Sequence, residues 1–179
     1  QYVDQFDHKS IETWVYHQDR DAGFYDFAAP TKQALEFYSD HIGPFAYEKL
    51  ANIQSNSVSG GMEAASAILY SETSVVGDRN ERWRNVVIHE IAHQWFGNAV
   101  TEFDWDDVWL SEGFATYFTL LFIEHQYGRD EFLRRLADFE GTPEEVLGHA
   151  ELLALLTPRL RADFEACETY GPSARPPLE

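Results

Sequence analysis

The stretch NVVIHEIAHQWFG, residues 85–97, decides how this chain is read. Within it His89-Glu90-Ile-Ala-His93 fits the H-E-x-x-H pattern. Trp83, Val86, Val87, Ile91 and Trp95 give an apolar flank at helical spacing, and Gly97 offers a C-terminal stop. On a helix, residues four apart stand one above the other on the same face, so His89 and His93 can aim imidazole nitrogens at one point. Glu90 lies about 100° further round, from the 3.6-residue turn. That places it poorly as a third ligand and well as a base for a water beside the metal. Metalloprotease chemistry needs this arrangement.

A match to so short a pattern arises by accident in a chain of this His and Glu content at roughly a few per cent, so a third ligand carries more weight. Glu112 follows His93 after eighteen intervening residues, in WLSEGFATY (109–117), at the start of a second expected helix. Two histidines and one carboxylate with an open fourth position is the catalytic, not the structural, zinc arrangement. The expectation is one Zn²⁺ per chain on His89, His93 and Glu112, with Glu90 as general base.

At these residues the chain resembles the aminopeptidase N and leukotriene hydrolase family of zinc metallopeptidases, the gluzincins with H-E-x-x-H-x18-E. The matching pieces are GGMEA (60–64), HEIAHQWFGN (89–98) and WLSEGFA (109–115), in the family's order and spacing. The resemblance implies an α+β, thermolysin-like peptidase domain, a small mixed sheet packed on helices with the zinc site on two of them. It also implies that Gly60, Gly61, Met62 and Glu63 line the substrate cleft, and that Glu63 binds the free α-amino group of a peptide. Two glycines allow close backbone approach, but bare, the stretch would read as a turn followed by an exposed Glu. The family pattern there is G-x-M-E-N, and Ala64 stands in place of its Asn, removing an amide that could order the loop or bond substrate.

Two further departures matter. The family's oxyanion-stabilising tyrosine, in a Y-x-K-G context, has no counterpart; Tyr170 sits in ETYGPS instead. Losing one such donor costs on the order of 10²–10³ in rate. The helical half that completes the family's cleft is missing or replaced after about residue 140. Zinc binding is therefore the firmer expectation, full activity the weaker one.

Composition bounds the rest. A chain of 179 residues with 44% hydrophobic and 15% aromatic content can bury one sizeable core. A net charge of -18 argues against nucleic acid and against anionic membrane surfaces, and favours cationic ligands such as a peptide N-terminus. One cysteine, Cys167, excludes an internal disulfide. No apolar run approaches the roughly 18 residues of a membrane span, and no signal peptide precedes the fold. The start at Gln1 reads as a piece of something longer, and compartment and oligomeric state are left open.

Along the chain, 1–17 alternates in strand fashion through 11–16, and the resemblance implies that this segment is the end of a preceding β-rich domain. The peptidase domain is then 18–168, and 169–179 a flexible Gly/Pro/Ser-rich tail. Residues 19–27 read as a charged loop, 31–42 as a helix, 49–54 and 67–70 as strands. Asp78 or Asn80 could cap the zinc helix. A short strand is expected at 99–103, helices at 108–126, 130–139 and from 142 through 156. Thr116 and Asp107 are the nearest acceptors in sequence for a ligand histidine's second nitrogen. Trp95, Phe96, Trp105 and Trp109 read as core rather than substrate pocket, and His8, His17, His41, His125 and His149 as ordinary residues.

The favoured reading is a zinc aminopeptidase that removes N-terminal residues from peptides. A zinc endopeptidase of the same metal type and a non-catalytic zinc-binding remnant or interaction domain stand as alternatives. Glu90 argues mildly against the remnant, because a structural site has no use for a general base.

Overall fold

The structure is a computed structural model that describes residues 1–78 and 80–138. Two antiparallel strands open it, β1 (Tyr2–Phe6) and β2 (Lys9–Trp14), joined by Asp7 and His8 at φ 45 and 63. Positive φ at both loop residues is the primed turn whose twist matches its strands. The strand β2 runs parallel to β3 (Lys49–Ser55), which runs parallel to β5 (Ala67–Ser71). A two-residue edge strand β4 (Gly61–Met62) pairs antiparallel with β5, giving the order β1-β2-β3-β5-β4. This is the small mixed sheet of an α+β fold.

Between β2 and β3 the chain is helical far earlier than its charges suggest. A short α1 (Arg20–Gly23) passes through a π turn (Phe24–Ala28) into α2 (Ala29–His41). The loop expected over 19–27 is therefore wrong. Phe27, Ala28 and Asp26 are buried, and the Asp26 carboxylate accepts from the N–H groups of Val76 and Gly77 at 2.7 and 2.6 Å. A buried carboxylate serving two main-chain donors looks, in sequence, like a solvated charge.

One face of the sheet carries Ile11, Leu50, Asn52, Ile68 and Tyr70, all at most 2% exposed, every second residue along its strand. Helix α2 and the zinc-motif helix α3 (Glu81–Ala92) supply Leu35, Tyr38, Val87, Ile88 and Ile91 to the same core. Helix α4 (Val108–Tyr127) packs on α3 and adds Ala115, Phe118 and Phe122. Tyr38 sits at the centre, its ring against Trp95, Phe118 and Phe122 and its hydroxyl donating to the Ile88 carbonyl at 3.2 Å.

Helix α3 starts where Asn80 accepts from Trp83 N–H, so Asn80 is the cap, and it ends at Ala92 rather than Gly97. No strand forms over 99–103: only an isolated bridge between Phe96 and Val100 is made there. Trp95 is core, but Trp105 and Trp109 are 78% and 60% exposed, contrary to expectation. Trp105 stands on the turn leading into α4 and Trp109 in the first turn of that helix, beside Asp104, Asp106 and Asp107 in sequence.

A second unit begins at Arg129, and of it α5 (Arg129–Asp138) is described; Arg134 pairs with Glu131 along it at 2.9 Å. The helix expected through 156, the tail from 169, Cys167 and Tyr170 lie outside the described residues. Among the described residues no helix is long and apolar enough to cross a membrane.

Candidate metal centre and cleft edge

His89 lies in the last turn of α3 and His93 directly after it, still in right-handed helical conformation. The one-turn spacing is thus kept although the helix has formally ended. The break matters next: Gly97, at φ 116, turns the chain back beneath the His93 ring. A Cβ there would stand 3.3 Å from His93 Nδ1 and from Ser111 Cβ, a squeeze between the end of α3 and the start of α4.

Glu112, in the second turn of α4, brings Oε2 to 3.3 Å from His89 Nε2 and 3.5 Å from His93 Nε2. The two Nε2 atoms are 3.1 Å apart. A tetrahedral zinc with bonds of about 2.0–2.1 Å separates its ligands by about 3.3 Å. The three atoms already form such a face, so the donor set fits the ion in both geometry and chemistry. Among the described residues this is the group that could hold a metal.

Protonation follows from the surroundings. The carbonyl of Phe96 lies 2.9 Å from His93 Nδ1, which donates to it and leaves Nε2 with its lone pair facing the site. Burial, and then the neighbouring His89, hold His93 below the usual histidine range, in the neutral form a metal requires. The acceptor is therefore a main-chain carbonyl, not Thr116 or Asp107, and no side-chain pattern could have announced it. Hydrogen bonding from His89 holds Glu112 below the usual carboxylate range.

Glu90 points elsewhere. It is 7% exposed, and its carboxylate lies against the edge strand β4, so that a Cβ on Gly61 would fall 2.2 Å from Oε1. Gly61 has to be glycine for Glu90 to lie there. Burial first of all, opposed by His89 and reinforced by the negative charges of Glu63 and Glu112, pushes the Glu90 carboxyl up to about 7. A carboxyl poised near neutrality can both take and return a proton.

The glycine-rich stretch thus arrives beside the zinc helix. The Gly60 carbonyl accepts from Ser71 N–H at 2.8 Å, Gly61 and Met62 form β4, and Met62 is 48% exposed. Glu63 follows, half-buried, with its charge acting on Glu90 and His93. Its main-chain carbonyl accepts from the side-chain amides of Gln94 and Asn98 at 3.0 and 2.6 Å. Those two amides went unread in the sequence, although both stand in the motif run HQWFGN.

Comparison with known proteins points the same way. The model of the Peptidase family M1 domain matches residues 27–148. Glutamyl aminopeptidase of Sus scrofa is 36% identical over 121 residues, 62% of this chain and 13% of that protein. Aminopeptidase N of Rattus norvegicus is also 36% identical over 121 residues, 62% of this chain and 12% of its own length. Among solved structures, an M1 zinc metallopeptidase from Deinococcus radiodurans superposes with TM-score 0.58 at 28% identity, over 83% of this chain and 34% of that one. Yeast LTA4 hydrolase superposes with TM-score 0.64 at 20% identity, over 76% of this chain and 22% of the other. The chain spans about an eighth of the length of these curated relatives. The α+β, thermolysin-like class expected from the sequence is the one these likenesses give.

Proposed function

The chain belongs to peptidase family M1, and from that premise we propose that it hydrolyses the N-terminal residue from peptides. The observation that carries the reading is the three-atom face of His89, His93 and Glu112, with side-chain atoms 3.1–3.5 Å apart and Glu90 buried beside it. In this proposal His89, His93 and Glu112 hold one Zn²⁺. When bound, the ion acidifies water and polarises the scissile carbonyl. Glu90 takes the proton of the attacking water and passes it to the leaving amine, a transfer its raised pKa favours.

Glu63 sets the reaction class. Its carboxylate, at the end of edge strand β4, pairs with the ammonium of the first residue and so registers that residue against the metal. Gly60, Gly61 and Met62 form the cleft edge along which the peptide lies. Residues 18–168 would be the peptidase domain, with 1–17 joining it to a preceding β-rich domain and 169–179 as a tail. The partners are peptides with a free N-terminus.

The test is hydrolysis of alanyl p-nitroanilide by the zinc-loaded chain, beside its N-acetyl twin and a Glu90→Gln control. Cleavage of the free amine alone, abolished in the control, is the expected result. Cleavage of both substrates would indicate an endopeptidase. Zinc bound at one per chain without cleavage of either would sink the enzymatic reading and leave a non-catalytic zinc domain.

A further inference from the structure

The loop bearing Glu63 is fastened to the segment that follows the zinc helix. Gln94, 1% exposed, donates from Nε2 to the Glu63 carbonyl at 3.0 Å and accepts at Oε1 from the Ser66 N–H at 2.8 Å. Asn98 donates to the same carbonyl at 2.6 Å. Both amides hang from backbone that also fixes a ligand. Gln94 follows His93 directly, and the Asn98 N–H donates to the His93 carbonyl at 3.1 Å.

The loop needs holding. Ser66 stands at φ 61, a left-handed conformation that costs free energy unless its surroundings enforce it. Only a short turn bond, Ala67 N–H to the Ala64 carbonyl at 3.0 Å, closes it from within. Among the described residues no hydrogen bond reaches the Glu63 carboxylate itself, so its position depends on its own main chain. An amide gripping two backbone groups three residues apart fixes both the distance and the rotation of the segment between them.

We propose that Gln94 and Asn98 are positioning residues that set the span between the Glu63 carboxylate and the metal ligands, so that a substrate's amino group and its first carbonyl engage together. Neither amide touches the substrate. The inference rests on Glu63 being the amine acceptor. Misplacing one of two groups that act together by about 1 Å can cost on the order of a hundredfold.

Binding of two zinc-directed probes to the 179-residue, zinc-loaded chain separates the possibilities. Alanine hydroxamate carries the amine; propionohydroxamate is the same molecule without it. Their affinity ratio, by calorimetry, reports the amine contribution, and wild type should favour the amine by on the order of tenfold or more. Gln94→Met and Asn98→Ala should each cut that ratio by about threefold or more, and Glu63→Gln should bring it to about one. Propionohydroxamate affinity and zinc stoichiometry should hold in all three. Amide hydrogen exchange over 63–66 should quicken in the two clamp variants and not in Glu63→Gln.

Three results would overturn the proposal. A ratio unchanged in both clamp variants but lost in Glu63→Gln would refute the clamp and leave amine recognition standing. Equal loss of both probes in the clamp variants would show that the amides only maintain the metal site. Wild type indifferent to the amine would remove the Glu63 reading and this inference with it.

Discussion

A methyl group on Gly61 and the Glu90 carboxylate cannot both occupy their places, and the carboxylate, at the end of a flexible side chain, is the one that moves. The backbone of β4 is tied by its pairing with β5, whereas Glu90 can rotate away at modest cost. If Glu90 is the base proposed above, Gly61→Ala should keep zinc at one per chain while kcat/KM falls about a hundredfold or more, because the displaced carboxylate would forfeit its proton transfer. Metal analysis beside peptidase rates checks it, and full activity would show that Glu90 works from another position. The same buried carboxyl makes stability depend on pH. Its folded pKa of about 7 lies above the ordinary 4.5, so the native state keeps a proton that the unfolded chain releases. Stability is then lost as pH rises from about 4.5 through about 7, by no more than roughly 3–4 kcal/mol for this one group. Glutamine carries no charge at either end of that window. In the metal-free chain, Glu90→Gln should melt near wild type at pH 4.5 and several degrees above it at pH 8. An equal difference at both pH values would mean that the Glu90 environment does not disfavour charge.

Between elements, the sheet is joined to the helical layer by a buried polar chain as well as by apolar packing. Tyr70 of β5 donates to Asn52 Oδ1 of β3 at 3.1 Å, Asn52 Nδ2 to Thr31 Oγ1 of α2 at 2.9 Å, and Thr31 to the Phe27 carbonyl at 2.6 Å. All three side chains are fully buried. Removing the middle link leaves the buried Tyr70 hydroxyl without its acceptor and takes from Thr31 Oγ1 the donor it accepts from, while Thr31 keeps its own bond to Phe27. Asn52→Ala should cost about 2–4 kcal/mol, read as a lower urea midpoint at unchanged slope. A loss below about 0.5 kcal/mol would show that the chain contributes nothing beyond packing. Elements of this kind explain what could be read in advance. Helices α2, α3 and α4 and strands β2, β3 and β5 declared themselves because their apolar spacing and caps are local signals. The grouping of His89, His93 and Glu112, which could hold a metal, was legible for the same reason, one turn and one fixed interval apart. The division of the strand-like stretch 1–17 into β1 and β2 escaped because its turn is Asp7-His8, with φ positive at two residues that are not glycine. The 19–27 helix escaped because Asp26 is charged in sequence yet bonded to main chain fifty residues away. Gln94 and Asn98 were hidden by the same circumstance: their partner is a carbonyl, and carbonyls carry no sequence signature.

The whole chain carries 31 acidic and 13 basic side chains, an excess of negative charge that the described ion pairs, such as Lys32 with Asp4 at 3.3 Å, offset only locally. Compaction brings these charges within reach of one another, so folding opposes a Coulomb cost that the extended chain largely avoids. The cost is spread over the surface and is therefore open to screening. At 0.01 M salt the screening length is about 30 Å, larger than the separation of most charges in a domain this size; at 0.15 M it is about 8 Å. The site adds to the strain, since Glu102, Asp104, Asp106 and Asp107 precede Glu112 within eleven residues, and Glu63 and Glu90 act on the same centre. A divalent cation between His89, His93 and Glu112 would relieve the part of that repulsion that Glu63 and Glu112 contribute there. Two results should follow for the melting temperature. The metal-free chain should gain several degrees between 0.01 and 0.3 M NaCl, about what 1–2 kcal/mol gives in a protein of this length. The zinc-loaded chain should melt higher throughout and gain less from salt, because the cation has already neutralised the charges that salt would screen. A flat salt dependence without metal would mean that the acidic surface is spaced widely enough to be harmless. An equal slope with and without zinc would place the repulsion away from the site.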